Sequence, residues 1–347
     1  MMHIGDEAMF EEFVAQARSR GITDITAISS NPPETSSRYG LPSVGRDAVD
    51  LEGFDGVIIT GAGNLASTWP VHIIERLALA RAAEARGIPL VITGQTLGPY
   101  LTEEHEGMLA ALLASARLVG VRESASHAHA TRLGVHHARL RLGADDASFL
   151  GFDGDEHPAT EPFALVSLST HVGGADRPEF VARVAALLDH AARLTGLEVV
   201  FLAHFGPLEA PWQRGDVVMH EAVATAMSTP SRTVPTGTPL EAARLARQAS
   251  LVVSSRYHPA VFAAPAGVPT LGVAVDDYTT VKLTGALGTF GQSGVVQAGE
   301  LASAPARIDE LWADRTAVRE GAAELARERR VETNDWWDRV FEGLSNA

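Results

Sequence analysis

The stretch LVVSSRYHPAVFAA, residues 251–264, predicts how this chain folds, because a polar loop there joins an apolar strand to a helix. Residues 251–255 form an apolar, β-branched run that ends in serines. Arg256 and His258 come directly after that run, and Pro259 suits the first turn of a helix. The loop and the helix N-terminus can present N–H groups and a positive dipole end to an anion. The stretch therefore predicts an anion site at the carboxyl end of a strand.

The same alternation of strands and helices extends outward over the whole chain. The predicted strands are 22–29, 56–60, 89–93, 117–121, 163–169, 198–203, 251–255 and 269–275. The predicted helices are 73–86, 103–115, 178–195, 238–248 and most of the tail 302–344. Strands that alternate with helices are typical of parallel sheets with crossover helices.

Residues 151–162 interrupt this pattern, since they are rich in Gly, Asp, Glu and Pro and show little periodicity. We interpret them as a linker. The chain is then α/β, with two Rossmann-like domains at residues 1–155 and 156–347. Ligands of such sheets bind beyond the carboxyl ends of the strands, so the cleft between the domains is the expected site.

Composition excludes several classes of function. The 347 residues carry a net charge of −15, which argues against a nucleic-acid or anionic-membrane surface. The sequence has no cysteine, and hence no disulfide or thiolate ligand. It shows no apolar run long enough to span a bilayer and no basic, apolar leader at its start, so a cytoplasmic location is the default expectation.

Lys282 is the only lysine in the chain, and every other fixed cation is arginine. A lysine retained against that bias indicates a role for a compact ammonium group that can change its protonation state; the alternative is a stray surface lysine. Arg256 can fork onto a carboxylate or phosphate, and His258 suits proton transfer near neutral pH. The alternative for these two is an ion pair with an acidic side chain and a helix cap.

The N-terminal segment offers carboxylates and glycines. Asp6 and Glu7 lie at the start of a predicted helix, where they either interact favourably with its dipole or accept a hydrogen bond from a ligand. Gly61 and Gly63 belong to GAGNLA, which fits a dinucleotide fingerprint weakly because STWP follows it. We interpret the glycines as a tight turn that lets a ligand or the other domain approach the backbone.

Three further polar residues follow predicted strands. Gln95 and Thr96 end a strand at the same sheet edge and are candidates for acceptor binding. His204 follows a strand of the second domain and is a candidate pocket residue, with loop hydrogen bonding as the alternative. The histidines between 127 and 137 lack the spacing of a metal site, so no metal is expected.

An ordered set of motifs resembles the polysaccharide pyruvyl transferase family. The matching segments are GDEA (5–8), VIITGAGN (57–64), GQTLGP (94–99), VRESAS (121–126), AD (144–145), SRYH (255–258), FA (262–263), AGVP (266–269) and Lys282. The resemblance covers residues 5–288, and its specificity comes from the order of the motifs rather than from any single one.

The resemblance implies a GT-B-like architecture and transfer of a pyruvyl group from phosphoenolpyruvate onto two hydroxyls of a sugar, which forms a cyclic ketal. It assigns Arg122 and Arg256 to carboxylate or phosphate binding, Lys282 to phosphate and His258 to acid–base chemistry, and we add Asp6 as a candidate base for the acceptor. No cofactor is implied. The expected partners are phosphoenolpyruvate and a sugar or lipid-linked glycan acceptor of cell-envelope biosynthesis, and the sequence leaves room for a homo-oligomer.

Two points keep other functions open. The family places a strand before GDEA, whereas this chain begins with Met1-Met2-His3. Either the start codon is assigned too late or the first strand is lost, and a lost strand would leave an open sheet edge or a place for a partner segment. The second domain also lacks the arginine that many members carry after its first strand. The alternatives are a GT-B-like glycosyltransferase that uses a nucleotide sugar and a non-catalytic binding protein of the same fold.

Overall fold

The computed structural model describes residues 2–152, 154, 159–209, 211 and 213–345. Two parallel β-sheets with flanking helices follow each other along the chain. The predicted α/β architecture with two Rossmann-like units is confirmed. Part of the predicted linker, residues 153 and 155–158, lies outside the described residues.

The first sheet is built from strands that alternate with helices. In chain order this part contains β1 (Met2–His3), α1 (Ile4–Ser19), β2 (Ala27–Ile28), α2 (Pro32–Tyr39), β3 (Ser43–Val44), β4 (Val57–Ile59), β5 (Ala62–Leu65), α3 (Pro70–Ala85), β6 (Leu90–Leu97), α4 (Glu103–Ser115), β7 (Leu118–Val121), α5 (Ser124–Arg132) and β8 (Leu140–Leu142). Strands β4, β6, β7 and β8 pair in that order and in parallel. The short β5 continues β4 along the same edge of β6.

The second sheet has six parallel strands. Its part of the chain contains β9 (Phe163–Ser167), α6 (Arg177–Thr195), β10 (Glu198–Leu202), β11 (Phe205–Gly206), α7 (Val217–Ala226), β12 (Ser231–Val234), α8 (Pro239–Gln248), β13 (Leu251–Ser254), α9 (Tyr257–Ala263), β14 (Thr270–Ala274), α10 (Asp277–Gly288), β15 (Val295–Gln297), α11 (Ala304–Ala313) and α12 (Arg315–Ser345). The strand order is β12-β10-β9-β13-β14-β15.

The central strands are continuously apolar because both faces of each sheet are covered. In β9, Val166 packs toward α6 and α11, whereas its neighbour Leu165 packs toward α8 and α9. Successive side chains of a strand point to opposite faces, so one apolar run supplies two cores. The run in β13 does the same and ends at the loop 255–256, which carries the predicted site.

Helices α1 and α12 connect the two halves of the molecule. The start of α1 belongs to a core cluster of the second sheet through Ile4 and Met9. Further along, Phe13 of α1 packs with Trp337 of α12 and Val91 of β6 in a core cluster of the first sheet. The last helix of the second part thus covers a face of the first sheet. None of the described helices is both long enough and apolar enough to cross a membrane.

The first sheet carries no strand from the segment before Gly5. Strand β1 instead pairs in antiparallel fashion with β11 of the second part, Met2 opposite Gly206 and His3 opposite Phe205. In the described parts of the chain, β2 and β3 pair only with each other, and β4 pairs only with β6. The other edge of β4 thus has no strand partner among the described residues.

Several sequence predictions differ from the structure. Of the predicted strand 22–29 only Ala27–Ile28 is a strand, and it pairs with β3 outside the main sheet. The glycines 61 and 63 do not form a simple tight turn, because residues 62–65 add to β6 as strand β5. Residues 277–288, for which no element was predicted, form helix α10. That helix begins at a capping box in which Asp276 and Thr279 exchange side-chain and backbone hydrogen bonds.

Candidate active site

Arg122 follows β7 and is the most deeply buried cation of the site, with 1% of its surface exposed. Its Nε donates to Thr96 Oγ1 at 2.9 Å, and its Nη1 donates to Asp145 Oδ2 at 2.6 Å. Its Nη2 has no hydrogen-bond partner among the described residues. Two nitrogens therefore fix the guanidinium, and the third is left available to a ligand.

Lys282 approaches the same place from α10 of the second part. Its Nζ donates to Tyr278 Oη at 3.0 Å, one helical turn earlier. The described residues give Lys282 no carboxylate as an ion-pair partner. Burial first, and the nearby charge of Arg122 second, lower the pKa of Lys282 to about 7 against the opposing effect of Asp6. The ammonium group is thus only about half charged in the unliganded protein at neutral pH.

The two cations meet at Gly63. The position that a Cβ would take on Gly63 lies 2.7 Å from Arg122 Nη2 and 2.8 Å from Lys282 Nζ. Tyr278 Oη also donates to the Gly63 carbonyl across the two halves of the molecule. The predicted close approach at Gly63 is therefore present, and the partner that approaches is the second domain.

The ring of Tyr257 forms a wall beside both cations. Arg122 Cζ lies 4.6 Å and Lys282 Nζ 4.5 Å from the centroid of this ring. An aromatic face attracts cations and excludes water from them. Arg122 pairs with Asp145, but its Nη2 and the Lys282 ammonium are bonded to no described carboxylate, which leaves both groups able to bind a small anion.

His258 lies in α9 and packs against the start of α1. A Cβ on Gly5 would overlap its ring, so only glycine leaves room for the imidazole there. Its Nε2 is buried and finds no hydrogen-bond partner in the described residues. Burial lowers the pKa of His258 well below its usual value, and Arg122 and Lys282 add to the shift. The imidazole is neutral in the unliganded protein at pH 7.

Arg256 has a different environment. Its Nε and Nη2 form a forked ion pair with the buried carboxylate of Asp216, with the shortest distance 2.5 Å. Its guanidinium also lies 5.6 Å from the ring of Phe205. Asp216 in turn accepts the backbone N–H of His204 and Phe205. The structure thus places Arg256 on an acidic side chain, while the first two cations meet at Gly63.

His204 is buried in the same second-domain cluster. Its Nδ1 lies 3.0 Å from Ser167 Oγ, and its Nε2 has no partner within the described structure. Burial lowers the pKa of His204 to about 3, so this ring is also neutral. His204 and His258 both pack against Phe262, at 6.3 and 5.8 Å between ring centroids.

The loop before α9 uses its N–H groups internally. Ser255 N donates to Ser167 O at 3.0 Å, and Arg256 N donates to Ser254 Oγ at 3.0 Å. These two N–H groups therefore do not face a ligand, contrary to the expectation from the strand–loop–helix pattern. Ser254 and Ser255 stabilise this turn through hydrogen bonds within the protein.

The two acidic residues of α1 diverge. Asp6 is 57% exposed and lies 3.6 Å from His3 Nδ1. Its charge raises the pKa of both Lys282 and Tyr278, so Asp6 lies within electrostatic reach of the site. Glu7 instead accepts a hydrogen bond from the Tyr39 hydroxyl of α2. The structure thus brings Asp6, but not the bonded carboxylate of Glu7, toward the cations.

The residues at the end of β6 support Arg122 from below. Thr96 accepts from Arg122, as described, and Gln95 Nε2 donates to the Thr60 and Thr93 carbonyls at 2.6 and 3.0 Å. Gly61 lies against Asp146, whose Oδ2 would be 2.9 Å from a Cβ there. These contacts support the position of Arg122. The described hydrogen bonds connect none of Gln95, Thr96 and Gly61 to the Lys282 ammonium.

Several residues of the site were not singled out from the sequence. Asp146 accepts from Thr93 Oγ1 at 2.6 Å, and burial raises its pKa to about 7. Tyr278 lies four residues before Lys282, a spacing that places both on one face of a helix. Arg76 of α3 donates to Asn64 Oδ1 at 2.6 Å beside β5. The helical spacing could have identified Tyr278, whereas Asp146 and Arg76 carry no local signal.

The fold matches known two-domain sugar enzymes at low sequence identity. A UDP-GlcNAc 2-epimerase from Neisseria meningitidis, solved with UDP-GlcNAc, is 12% identical with a TM-score of 0.62, over 99% of this chain and 97% of that one. The Anabaena protein HepE, solved with UDP, is 14% identical with a TM-score of 0.58, over 98% and 96%. The calicheamicin glycosyltransferase CalG4 is 17% identical with a TM-score of 0.55, over 98% and 95%. These similarities show a GT-B-like fold.

The family comparison is more specific. No curated protein matches the sequence significantly. The sequence model described as polysaccharide pyruvyl transferase, however, matches residues 3–277, most of the chain and all but the last of the motifs quoted above. This chain belongs to the polysaccharide pyruvyl transferase family.

Proposed function

We propose that this protein transfers the pyruvyl group of phosphoenolpyruvate to two hydroxyls of a sugar and forms a cyclic ketal. Family membership supports a transferase that acts on polysaccharide or its precursors. The observation that carries the proposal is the meeting of Arg122 and Lys282 at Gly63, where the Lys282 ammonium forms no ion pair with a described carboxylate. Phosphoenolpyruvate offers a phosphate and a carboxylate on a small frame, which is the ligand that such a pair selects.

We assign Lys282 to the phosphate and the unpaired Nη2 of Arg122 to the carboxylate. The phosphate gains charge as its bond to the pyruvyl carbon breaks, and a fixed cation beside it stabilises that charge. Arg256 stays a predicted ligand of the donor. Its Nη1 donates to no described group, but its bond to Asp216 already compensates its charge.

The chemistry needs one proton to enter and two to leave. A proton on His258 would go to the methylene carbon, which turns the neighbouring carbon into an oxocarbenium centre. A sugar hydroxyl adds there and gives its proton to Asp6. The bond between that carbon and the phosphate oxygen then breaks, the second hydroxyl closes the ketal, and its proton goes to the departing phosphate. His258 is neutral in the free protein, so the bound dianion must raise its pKa by offsetting Arg122 and Lys282.

The competing function is sugar transfer from a nucleotide sugar, because HepE and the Neisseria epimerase were solved with UDP or UDP-GlcNAc. A binding protein without activity is the third reading. A thermal-shift measurement distinguishes pyruvyl transfer from glycosyl transfer. If the protein is a pyruvyl transferase, phosphoenolpyruvate should raise the melting temperature and UDP should leave it unchanged. A shift with UDP alone would favour glycosyl transfer.

The direct test is phosphate release from phosphoenolpyruvate with a panel of glycoside acceptors, together with the mass of the product. Lys282→Met should raise the KM for phosphoenolpyruvate at least tenfold, since it removes one charge-assisted contact of about 1.5–3 kcal/mol. Arg183→Met is the matched control, because Arg183 is an exposed cation paired with Glu179 on α6. Turnover that survives Lys282→Met unchanged would exclude the proposed donor site.

A further inference from the structure

A second group of side chains lies at the mouth of the site and has no role in donor binding. It consists of Trp69 at the start of α3, Arg76 on the same helix and Asn64 in β5. None of them was identified from the sequence. Asn64 is the neighbour of Gly63 in the chain, and the charge of Asp6 from α1 acts on both Arg76 and Lys282.

Trp69 is the apolar part of this group. It remains 37% exposed, although large aromatic side chains are normally buried. Its ring meets the ring of Tyr278 edge-on at 5.2 Å between centroids. Tyr278 in turn bonds Lys282 and the Gly63 carbonyl. An exposed indole is therefore coupled through one tyrosine to the predicted donor cation.

Arg76, Asn64 and Asp6 form the polar part. Arg76 Nη1 donates to Asn64 Oδ1 at 2.6 Å, which orients both groups. Burial lowers the pKa of Arg76 to about 10, and Asp6 is the first group that opposes the shift. Asp6 acts on Lys282 as well, so its exposed carboxylate lies within electrostatic reach of both cations. The group thus offers a donor, an amide and an acceptor beside one aromatic ring.

We infer that Trp69, Asn64, Arg76 and Asp6 form the acceptor subsite, and that the ring of a hexopyranoside stacks on Trp69. This inference rests on the proposed function and names the part of the site that receives the sugar. A pyranose has an apolar C–H face and a rim of hydroxyls, which match an exposed indole and a set of planar polar groups. Stacking on Trp69 leaves the hydroxyl rim between Asp6 and the donor at Lys282, where the ketal forms.

A nucleotide base could also stack on an indole, but the surrounding groups favour a sugar. Asp6 at the mouth repels a diphosphate, whereas it accepts a hydroxyl proton. Arg76 is held by a neutral amide, and Arg46, the other cation that acts on it, is already paired with Glu75 at 2.8 Å, whereas a diphosphate requires several free cations. The occupant to which the structure points is a glycoside without a phosphate at this position.

The test uses the full chain with Trp69→Ala, Trp69→Phe and Phe54→Ala. Phe54 is 36% exposed, much as Trp69 is. It precedes the N-terminal end of β4, whereas the site lies beyond the C-terminal end, so Phe54→Ala controls for the loss of an exposed aromatic side chain. With phosphoenolpyruvate saturating, Trp69→Ala should raise the KM for the acceptor about tenfold or more and leave the KM for phosphoenolpyruvate within about threefold. Trp69→Phe should keep most of the activity, and Phe54→Ala should match the natural protein.

A binding measurement separates this inference from the proposed reaction. Methyl glycosides of hexoses and N-acetylhexosamines are tested by saturation-transfer NMR without any donor. Contact signals from ring C–H protons that disappear in Trp69→Ala support the subsite even if no phosphate is ever released. Pyruvyl transfer with an unchanged acceptor KM in Trp69→Ala overturns the subsite and leaves the proposed function standing. Displacement of the glycosides by UDP at this position also overturns it.

Discussion

Burial of the Lys282 ammonium lowers the free energy of unfolding, a cost that fits its proposed role in ligand binding. Its pKa is about 7 in the folded protein, against 10.5 for the free side chain. The cost of burying the ammonium is therefore fully present below pH 7 and is relieved as the pH rises toward 10.5. If Lys282 only filled space in the core, an apolar side chain of similar size would do so without this cost in stability. Keeping the amine beside Arg122 makes sense where an anion arrives to compensate both charges.

The pKa of Lys282 predicts the pH dependence of donor binding. Below pH 7 the ammonium is charged and holds the phosphate; above pH 7 the unliganded protein loses that charge. The KM for phosphoenolpyruvate should rise with pH above 7, approaching about tenfold per unit. The phosphate itself takes up a proton near pH 6, so affinity should be best between about pH 6 and 7.

Lys282→Arg is the variant that checks this prediction, because a guanidinium stays charged throughout the range. Steady-state kinetics from pH 6 to 9 should show a flatter KM profile for Lys282→Arg than for the natural protein. An equally steep profile would assign the titration to another group, of which Asp146 is the nearest candidate.

Gly5 allows a second prediction at this scale. A Cβ at Gly5 would overlap the ring of His258, so Gly5→Ala must displace the imidazole or the start of α1. We expect kcat to fall at least about 100-fold, with a loss of about 1–3 kcal/mol in the free energy of unfolding, as for other overpacked sites. Gly107→Ala is the matched control: Gly107 is also helical and has open space around it, so stability should stay equal or rise slightly. Full activity in Gly5→Ala would remove His258 from the mechanism.

At the scale of elements, the Arg256–Asp216 ion pair fixes the segment after β10. Asp216 receives two N–H groups from residues 204 and 205, and the strand β11 that follows pairs with β1. One carboxylate thus connects the loop after β13 to the segment that holds the N-terminus. This arrangement supports the alternative reading of Arg256 as an ion-pair partner, and its proposed role in donor binding can be tested directly.

A double-mutant cycle separates the two roles of Arg256. Asp216→Asn and Arg256→Met should each cost about 3–5 kcal/mol, because each leaves a largely buried charge without its partner. The double variant should cost less than the sum, as denaturant unfolding will show. If Arg256 only stabilises the fold, the KM for phosphoenolpyruvate in folded Arg256→Met stays within about twofold; a tenfold rise would make Arg256 a donor ligand.

Local signals explain which elements the sequence could predict. Helix α4 was predicted at both ends, because Thr102 caps it and its apolar face is periodic. Helix α10 was missed, since its β-branched residues and glycines hide the period, although the box of Asp276 and Thr279 marks its start. Strand β5 was read as a turn because its pairing with β6 is not a local property. Short elements that form by pairing with residues distant in the chain cannot be predicted from the local sequence pattern.

The same distinction applies to the site. Arg122, His258 and Lys282 were found because each belongs to a motif with a fixed place in the order of the chain. The meeting of Arg122 and Lys282 at Gly63 depends on how α10 docks against β5, which no local pattern encodes. Asp146 and Trp69 stand at positions whose chemistry comes wholly from burial and neighbours. The sequence was therefore sufficient to identify several site residues, but not to predict which of them lie together and which form internal ion pairs.

For the whole molecule, the ends of the chain decide how the two sheets stay together. Helix α1 contributes to the cores of both sheets, and α12 leaves the second part to cover the first. The donor cations come from opposite sides, Arg122 after β7 and Lys282 on α10, so they meet only if these two helices hold the halves in register. Activity is then expected to depend on residues far from the chemistry.

Trp337 is the residue that tests this dependence. It is fully buried against Phe13 and Phe341, with ring centroids 6.3 and 5.9 Å away. Trp337→Ala should cost about 3–5 kcal/mol, as for other large core side chains, and the loss should fall on the first sheet and its contact with α12. Scanning calorimetry should then show an early transition separated from the unfolding of the second sheet. Val331→Ala is the control, since Val331 lies on the same helix and is 62% exposed. If Trp337→Ala lowers a single transition without splitting it, the two halves unfold as one unit and α12 is not the element that couples them.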